Sequence, residues 1–327
     1  MQNIEKLRVF TAFSGYDSQC LALKRLGIDF DLIGWSEIDK HAIKAHNLFF
    51  PEYTERNYGD ITKIDWEKVD DFDLFTYSFP CTDISFLGQR KGLTEGSNTR
   101  SSLLWECKKA IDIKRPKYLL LENVLALVQG GNKKHFINWL NILQKLGYHN
   151  YVSILSPHQY NVPQTRHRVF VVSTLERQYY SYPTPIKQTI FIKDILEKDD
   201  DVDKGYFLSQ KQFDYITKKR NKWNKDKSDF TKESQYCGCI SARYYQSRIG
   251  AIPHLRLGKN KEIARVLTER EVGRLMGLNE KEITLLINNI PKTRLYYMLG
   301  NSIVVDILEA IFRKMFIEPS VKLELFS

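Results

Sequence analysis

With 327 residues, 43% of them hydrophobic and 13% aromatic, the chain is long enough for one large domain and a smaller one, and its composition excludes a disordered protein. Five scattered cysteines (Cys20, Cys81, Cys107, Cys237, Cys239), behind a start MQNIEKLRVF that carries no apolar leader, exclude a disulfide framework and point to free thiols in a reducing cytoplasm. The absence of a run of about 18 apolar residues argues against a membrane span, and a net charge of +10 favours a polyanionic partner.

In chain order, the first 174 residues read as strands alternating with helices. Leu7 to Phe13 is a strand, Ser18 to Leu26 a helix, Asp31 to Glu37 a strand and Lys40 to Phe49 a helix. Then come a strand from Phe72 to Tyr77, a helix from Ser101 to Ile113, a strand from Lys117 to Glu122 and a helix from Lys134 to Leu146. A hairpin-like pair, Tyr151 to Ser156 and Arg168 to Thr174, follows. Short strands such as YLLLE and VFVVS, apolar on both faces and joined by helices, predict an α/β fold with a doubly wound, mostly parallel sheet and an antiparallel edge.

After Thr174 the periodicity gives way to Tyr-, Lys- and Asn-rich sequence with short candidate strands at Ile190 to Ile192 and Gly205 to Leu208. Residues 175–264 hold eighteen Lys/Arg against twelve Asp/Glu, so most of the net charge falls in just over a quarter of the chain. A solvated, lysine-rich surface is the alternative to a polyanion site there. Helical patterning returns at Thr268, an expected N-cap with Glu271 three residues on, and continues through Met276; Lys281 to Asn288 and Ser302 to Phe316 follow. The expected organisation is a discontinuous domain, 1–174 plus 265–327, with a smaller, irregular, mainly β module at 175–264.

Candidate chemistry gathers at strand ends. Phe13-Ser14-Gly15 closes the first strand, and Glu37 ends the second. A glycine at the first strand-to-helix turn with a carboxylate at the end of the next strand forms a nucleoside pocket, in which the acid accepts from ribose hydroxyls. Only one of the three glycines of a dinucleotide fingerprint is present, and anionic Asp17 stands where the second would be, so a phosphate-free nucleoside such as S-adenosylmethionine fits better than NAD. An ordinary α/β turn without a ligand is the alternative. In Gly59-Asp60-Ile61-Thr62, Asp60 is placed to accept from an adenine amine and Ile61 to pack on its ring; a turn with a helix cap reads the same residues.

The strand Phe72 to Tyr77 runs into Ser78-Phe79-Pro80-Cys81, delivering a thiol to the rim of the sheet. Alone, the Pro-Cys step is at chance level. Glu122 closes the apolar strand YLLLE, where desolvation is expected to raise its pKa towards neutrality, unless it is a salt-bridged structural acid. In Gln164-Thr165-Arg166-His167-Arg168, alternate residues share one face and direct an amide and two guanidiniums together, or else form a surface ion-pair strand. A thiolate adds to C6 of a pyrimidine when an acid holds N3 and a cation polarises O2, which makes C5 nucleophilic. Cys81, Glu122 and Arg168 match those roles. Cys237-Gly238-Cys239 has no second pair at zinc spacing and reads as a turn, so no metal is expected.

At this point the sequence resembles the DNA (cytosine-5) methyltransferases of bacterial restriction-modification systems, nearly from end to end. The matching segments, in the family's order, are FSG at Phe13, the acid at Glu37, GDIT at Gly59, FPC at Phe79, ENV at Glu122, QTRHR at Gln164, RVLTEREVGRLMG at Arg265 and GNSIVV at Gly300. The resemblance implies an S-adenosylmethionine-dependent methyltransferase with Cys81 as nucleophile, Glu122 on N3 and N4 of a flipped cytosine, Arg168 on its O2 and Arg166 in support. It implies a cofactor pocket of Phe13, Gly15, Glu37, Asp60, Ile61, Pro80, Leu103, Asn301 and Ser302. The loop from Thr82 to Arg100 looks like the family's mobile active-site loop, with Ser85, Gln89 and Arg90 on DNA beside Gln164. Residues 175–264 look like a target-recognition region, with Lys218, Lys219 and Arg220 on phosphates and Arg243 and Arg248 reading bases. Partners implied are double-stranded DNA and, as an option, a cognate endonuclease encoded nearby, with the protein a cytoplasmic monomer that uses no metal. Tyr16-Asp17-Ser18 departs from the family's glycine-rich turn and is expected to put an extra carboxylate in the cofactor pocket; Thr82-Asp83 departs after the nucleophile. A transfer-RNA cytosine-5 methyltransferase on the same scaffold and an inactive DNA-binding homologue are the alternatives.

Overall fold

The computed structural model describes residues 6–80, 103–176, 180–223, 229–246, 252–260 and 262–318, with the backbone alone for 219–223. They fall into two compact units, one within Met1–Leu155, His167–Thr184 and Leu308–Ser327, the other within Ser156–Arg166 and Pro185–Ile307.

The first unit is built on a six-stranded sheet of β1 (Leu7–Ala12), β2 (Phe30–Ser36), β3 (Leu74–Tyr77), β4 (Tyr118–Val124), β5 (His149–Leu155) and β6 (Arg168–Thr174), in the order β2-β1-β3-β4-β6-β5. β1, β2, β3 and β4 are mutually parallel, and β6 is antiparallel to both of its neighbours, β4 and β5, so that it alone runs against the other five strands and forms the antiparallel part that the hairpin-like pair predicts. The central strands are buried on both faces: every residue of β3, and all of β1 except Arg8, is shielded. Helices α1 (Ser18–Arg25), α2 (Lys40–Phe49), α3 (Leu104–Lys114) and α4 (Asn132–Lys145) follow β1, β2, β3 and β4. Between the sheet and α3 and α4 lies an aromatic core in which Phe10 meets Trp66 edge-on at 5.0 Å, Phe75 stacks on Tyr77 at 5.2 Å and Trp139 meets Tyr77 at 6.1 Å. Each such side chain contributes about 1.5–3 kcal/mol of burial. Because four parallel strands point the same way, their carboxyl ends share one edge, and the loops leaving that edge hold the candidate site.

In the second unit the short strands expected at Ile190 to Ile192 and Gly205 to Leu208 are instead the beginning of a single helical turn, α5 (Ile192–Ile195), and a 3-10 turn at Lys204–Tyr206. Its only ladder among the described residues pairs β7 (Leu255–Leu257) with β8 (Ile263–Arg265). The longest element is α6 (Gln210–Trp223), absent from the sequence reading because its apolar face is sparse: Ile216 is buried, and Phe213 only half so. Then come α7 (Glu269–Leu275), α8 (Glu280–Asn289) and α9 (Lys292–Asn301), the last also unpredicted. The Thr268 cap is present in full, with Thr268 Oγ1 accepting from Glu271 N and Glu271 Oε2 accepting from Thr268 N. A fully buried Arg265 forks onto Glu271 at 2.7 Å twice. The chain returns to the first unit within α10 (Val305–Phe312), which ends in a π-helical turn whose Phe316 meets Tyr118 of β4, both in the first unit, at 5.2 Å. The stretch Lys292–Ile317 is long and apolar enough to cross a membrane; it is broken at Ser302 to Val304, and 67% of its apolar window is buried, the pattern of core helices.

Candidate active site

At the carboxyl edge of the first unit, the turn after β1 carries Phe13 (φ 56), Gly15 (φ 59) and Asp17 (φ 64) in left-handed conformations, which fold the backbone back over the strand ends. Gly15 N donates to Glu37 Oε2 at 3.0 Å, while Glu37 Oε1 accepts from Ile38 N (2.8 Å) and Asp39 N (2.9 Å). A carboxylate has about four acceptor positions, so Glu37 is oriented by three backbone donors and keeps capacity for one more. Asn57 ties the next loop to it: Asn57 Oδ1 accepts from Glu37 N and Gly59 N, and Asn57 Nδ2 donates to Glu37 O. Asp60 accepts from Thr62 N (3.0 Å) and Thr62 Oγ1 (2.8 Å), both on Oδ1, and these bonds hold its pKa below the ordinary carboxylate value. Asp60 Oδ1 therefore caps a turn, while Oδ2 lies outside both bonds. Ile61 is buried beneath it, and Phe13 and Leu103 pack against the same core.

Asp17 corrects an expectation. Its carboxylate is fully buried, accepts from Cys20 N and Thr11 Oγ1, and caps α1, so it adds no exposed charge to the rim.

The second half of the edge is formed by β3, β4 and β6. Asn123 Nδ2 donates to Phe79 O at 3.0 Å, fixing the turn that leads into half-buried Pro80. Cys81, like Ser85, Gln89, Arg90 and the whole Thr82 to Arg100 loop, lies outside the described residues, and so does Arg248. Glu122, at the end of β4, is nine-tenths buried, and Arg168 Nε lies 3.3 Å from its Oε1, the guanidinium compensating a carboxylate that burial would otherwise penalise.

In the second unit, Gln164 and Arg166 both bond inward, to groups of that unit. Gln164 is fully buried, donating to Leu275 O and accepting from Ile240 N, which removes it from the expected DNA contacts. The Arg166 guanidinium, 3% exposed, donates to the carbonyls of Ile240 (2.7 Å), Gly300 (2.9 Å) and Ser302 (2.9 Å). The extended face read from QTRHR is thus divided: two of its members lock the GNS segment and residues 239–240, and one meets Glu122. Gly300 has no room for a side chain, since a Cβ would come within 2.3 Å of Ala242 N. Asn301 is exposed at the end of α9, and Ser302 Oγ donates to Met298 O.

The model of the C-5 cytosine-specific DNA methylase family matches residues 7–317. The chain belongs to that family. Among curated proteins, the type II methyltransferase M2.ScrFI of Lactococcus lactis subsp. cremoris is 34% identical over 95% of this chain and 99% of its own length. M1.ScrFI of the same organism is 31% identical over 86% of this chain and 70% of its own. Among solved structures, the Dnmt2 methyltransferase of S. pombe superposes with a TM-score of 0.76 at 22% identity, covering 96% of this chain and 99% of that one. The Entamoeba histolytica methyltransferase EhMeth gives 0.76 at 19% identity, over 96% and 99%. Both show the same fold. The protein is a DNA (cytosine-5) methyltransferase, and its six-stranded sheet is the Rossmann-like sheet of such enzymes.

On this methyltransferase, Lys218 is exposed on α6, with Lys219 and Arg220 next on the same helix, and Arg243 is exposed in a turn. Among the described residues no cluster of three or more His, Cys, Asp or Glu could hold a metal ion; Cys237 is buried, which pushes its thiol pKa up, and Cys239 is exposed. Three residues of the edge escaped sequence reasoning. Ile38, 73% exposed directly after Glu37, is an apolar side chain standing open at the rim, and its signal was an isoleucine between two acids. Asn123 was quoted within ENV but given no task, and Asn57 carried no sequence signal at all.

Proposed function

We propose that the protein transfers a methyl group from S-adenosylmethionine to C5 of a cytosine flipped out of duplex DNA, through a covalent bond between Cys81 Sγ and C6. The observation that carries this reading is the Glu122–Arg168 pair at the same sheet edge as the Phe79-Pro80 turn that leads into Cys81. Base flipping is required because C5 and C6 are shielded in the stack. Glu122 holds a proton at N3 and accepts from N4, and Arg168 donates to O2. Both draw electron density from the ring, so that Cys81 Sγ adds at C6 and C5 becomes nucleophilic. C5 would then take the methyl with S-adenosylhomocysteine as the leaving group, and loss of the C5 proton to a base from solvent would restore the C5–C6 double bond as the C6–Sγ bond breaks and Cys81 leaves as a thiolate.

The rim fits a nucleoside donor: Glu37 retains an acceptor position for a ribose hydroxyl, Ile38 offers an open apolar side chain, and the Asp17 carboxylate is buried away from the rim. Gly15, Glu37, Ile38, Asp60 and Ile61 would hold the donor's nucleoside part, with Phe13, Pro80 and Leu103 beside them; Asn301 and Ser302 are cofactor residues by the family resemblance. When bound, S-adenosylmethionine supplies an electrophilic methyl on a sulfonium. In this reading residues 1–174 and 265–327 act as the catalytic and cofactor-binding part and residues 175–264 as the target-recognition part, with Lys218, Lys219 and Arg220 on phosphates and Arg243 and Arg248 on bases. Arg166 supports the second unit structurally, by holding the carbonyls of Ile240, Gly300 and Ser302. The protein works as a cytoplasmic monomer on DNA, beside a cognate endonuclease where one is encoded, without forming an obligate complex.

The test is incubation with tritiated S-adenosylmethionine and duplex DNA bearing 5-fluorocytosine. A covalent adduct that disappears in Cys81→Ala is expected; label transfer that survives the change sinks the mechanism. The same incubation with transfer RNA decides the alternative substrate.

A further inference from the structure

Asp17 occupies a left-handed backbone position (φ 64) that glycine takes at the least steric cost. Its buried carboxylate accepts one hydrogen bond on each oxygen, Oδ1 from Cys20 N (3.0 Å) and Oδ2 from Thr11 Oγ1 (2.8 Å), and His46 Nε2 stands 3.5 Å from Oδ2. His46, near the end of α2, is also fully buried, and neither ring nitrogen has a hydrogen-bonding partner among the described residues. The imidazole lies flat on Trp35 of β2, with centroids 3.7 Å apart and planes 15° apart. Trp35 is itself held, its indole N–H on Tyr53 O (2.9 Å) and its carbonyl on Tyr58 N (2.8 Å).

A chain from Thr11 through Asp17 and His46 to Trp35 thus connects the turn that carries Gly15 with β2, the strand that leads into Glu37. Those two ends meet directly, since Ser14 N donates to Ser36 O and Gly15 N to Glu37 Oε2. A buried carboxylate and imidazole are costly unless each compensates the other, so a fully buried pair sets where its two elements rest.

We infer that Asp17 and His46 form a positioning pair that fixes the Phe13–Asp17 turn against the end of β2 and thereby sets affinity for the nucleoside cofactor. The inference rests on the reading of that rim as the S-adenosylmethionine site. The pair touches neither DNA nor the reacting atoms; it acts through the Gly15–Glu37 bond.

The test uses the full chain, with calorimetric binding of S-adenosylhomocysteine and steady-state kinetics on duplex DNA. His46→Gln, His46→Phe, Asp17→Asn and the Asp17→Asn/His46→Gln double variant are compared with wild type. Each single change weakens binding by roughly threefold to a hundredfold, the span of coupling between contacting residues. KM for the cofactor rises in step, kcat stays within about twofold, and the double variant is no weaker than the worse single one. His46→Phe keeps the stack on Trp35 and removes Nε2, so wild-type affinity in that variant overturns the pair, as does a double variant whose losses multiply. If Asp17→Asn does not fold, the His46 variants, which leave the helix cap intact, carry the test. Wild-type protein that fails to bind S-adenosylhomocysteine sinks the cofactor reading itself, an outcome distinct from variants that bind as wild type does.

Discussion

Arg168 Nε lies 3.3 Å from Glu122 Oε1, across the antiparallel pair β4 and β6, in side chains that are 17% and 10% exposed. Glu122 is in register with Phe170, so Arg168 is its diagonal neighbour on the same face, within reach of a long side chain. Removing the guanidinium leaves a carboxylate in a nearly dry site. Arg168→Ala is expected to lose about 1–3 kcal/mol of stability, less than a fully buried pair because both side chains keep some solvent, and to lose activity as well. Glu122→Gln keeps the shape and is expected to hold the fold while slowing methylation by about 10²-fold or more. Urea denaturation and initial rates on duplex DNA check both. An Arg168→Ala enzyme that is as stable and as fast as wild type would remove the pair from the mechanism.

Asn123 predicts a second effect at the same edge. Its Nδ2 donates to Phe79 O while its Oδ1 accepts from Val124 N, so one side chain fixes the turn two residues before Cys81. Asn123→Asp preserves the acceptor and sets an oxygen against the Phe79 carbonyl; Asn123→Ala removes both bonds. Each is expected to cost about 1–3 kcal/mol and to slow adduct formation on 5-fluorocytosine DNA, with Asn123→Asp the slower of the two. An Asn123→Asp variant that forms adduct at the wild-type rate shows that the bond does not position the turn.

The sheet was legible because alternating apolar runs and helical crossovers leave few topologies, whereas the order of its strands is set by contacts between distant segments and came from the structure. The Thr268 cap was legible because capping is local. What a linear reading could not supply is which way a side chain turns. QTRHR predicts one face, yet Gln164 and Arg166 bond inward to the carbonyls of Leu275, Ile240, Gly300 and Ser302, while Arg168 meets Glu122. Asp17 reads as a rim charge but is the buried cap of α1, because a left-handed backbone at that position turns its carboxylate towards Cys20 N. α6 was missed for a related reason: helix formation there rests on Ile216 and Phe213, too few to leave a period.

Asp73 makes acid stability a measurable quantity. It is half-shielded at the start of β3 and accepts from Arg8 N, Nε and Nη2, each at 3.1 Å. Burial pushes its pKa up, but the Arg8 bonds outweigh that and hold it below the ordinary aspartate value. A folded pKa below the unfolded one means that the proton binds the unfolded chain more tightly. The stabilisation is therefore complete above the ordinary value of about 3.9 and is lost as pH falls through the folded pKa. Asp73→Asn is expected to lower the melting temperature at neutral pH and to converge on wild type in acid. A gap that persists unchanged into acid would assign the loss to something other than charge.

The two neighbouring arginines separate structure from chemistry. Arg166 is 3% exposed, and its guanidinium bonds three backbone carbonyls of the second unit, whereas Arg168 meets a carboxylate at the sheet edge of the first. Lysine cannot reproduce a fork that serves several acceptors at fixed angles, so Arg166→Lys should leave carbonyls of Ile240, Gly300 and Ser302 unsatisfied, at a cost of about 3–5 kcal/mol. Its kcat, normalised to folded protein, should stay near wild type. Arg168→Lys keeps a charge near Glu122 but misplaces the donor for a ring oxygen, so the reverse is expected: modest change in stability and a large fall in kcat. Thermal scans read beside initial rates on duplex DNA make the comparison. An Arg166→Lys enzyme that melts with wild type yet turns over slowly would return Arg166 to the reacting centre.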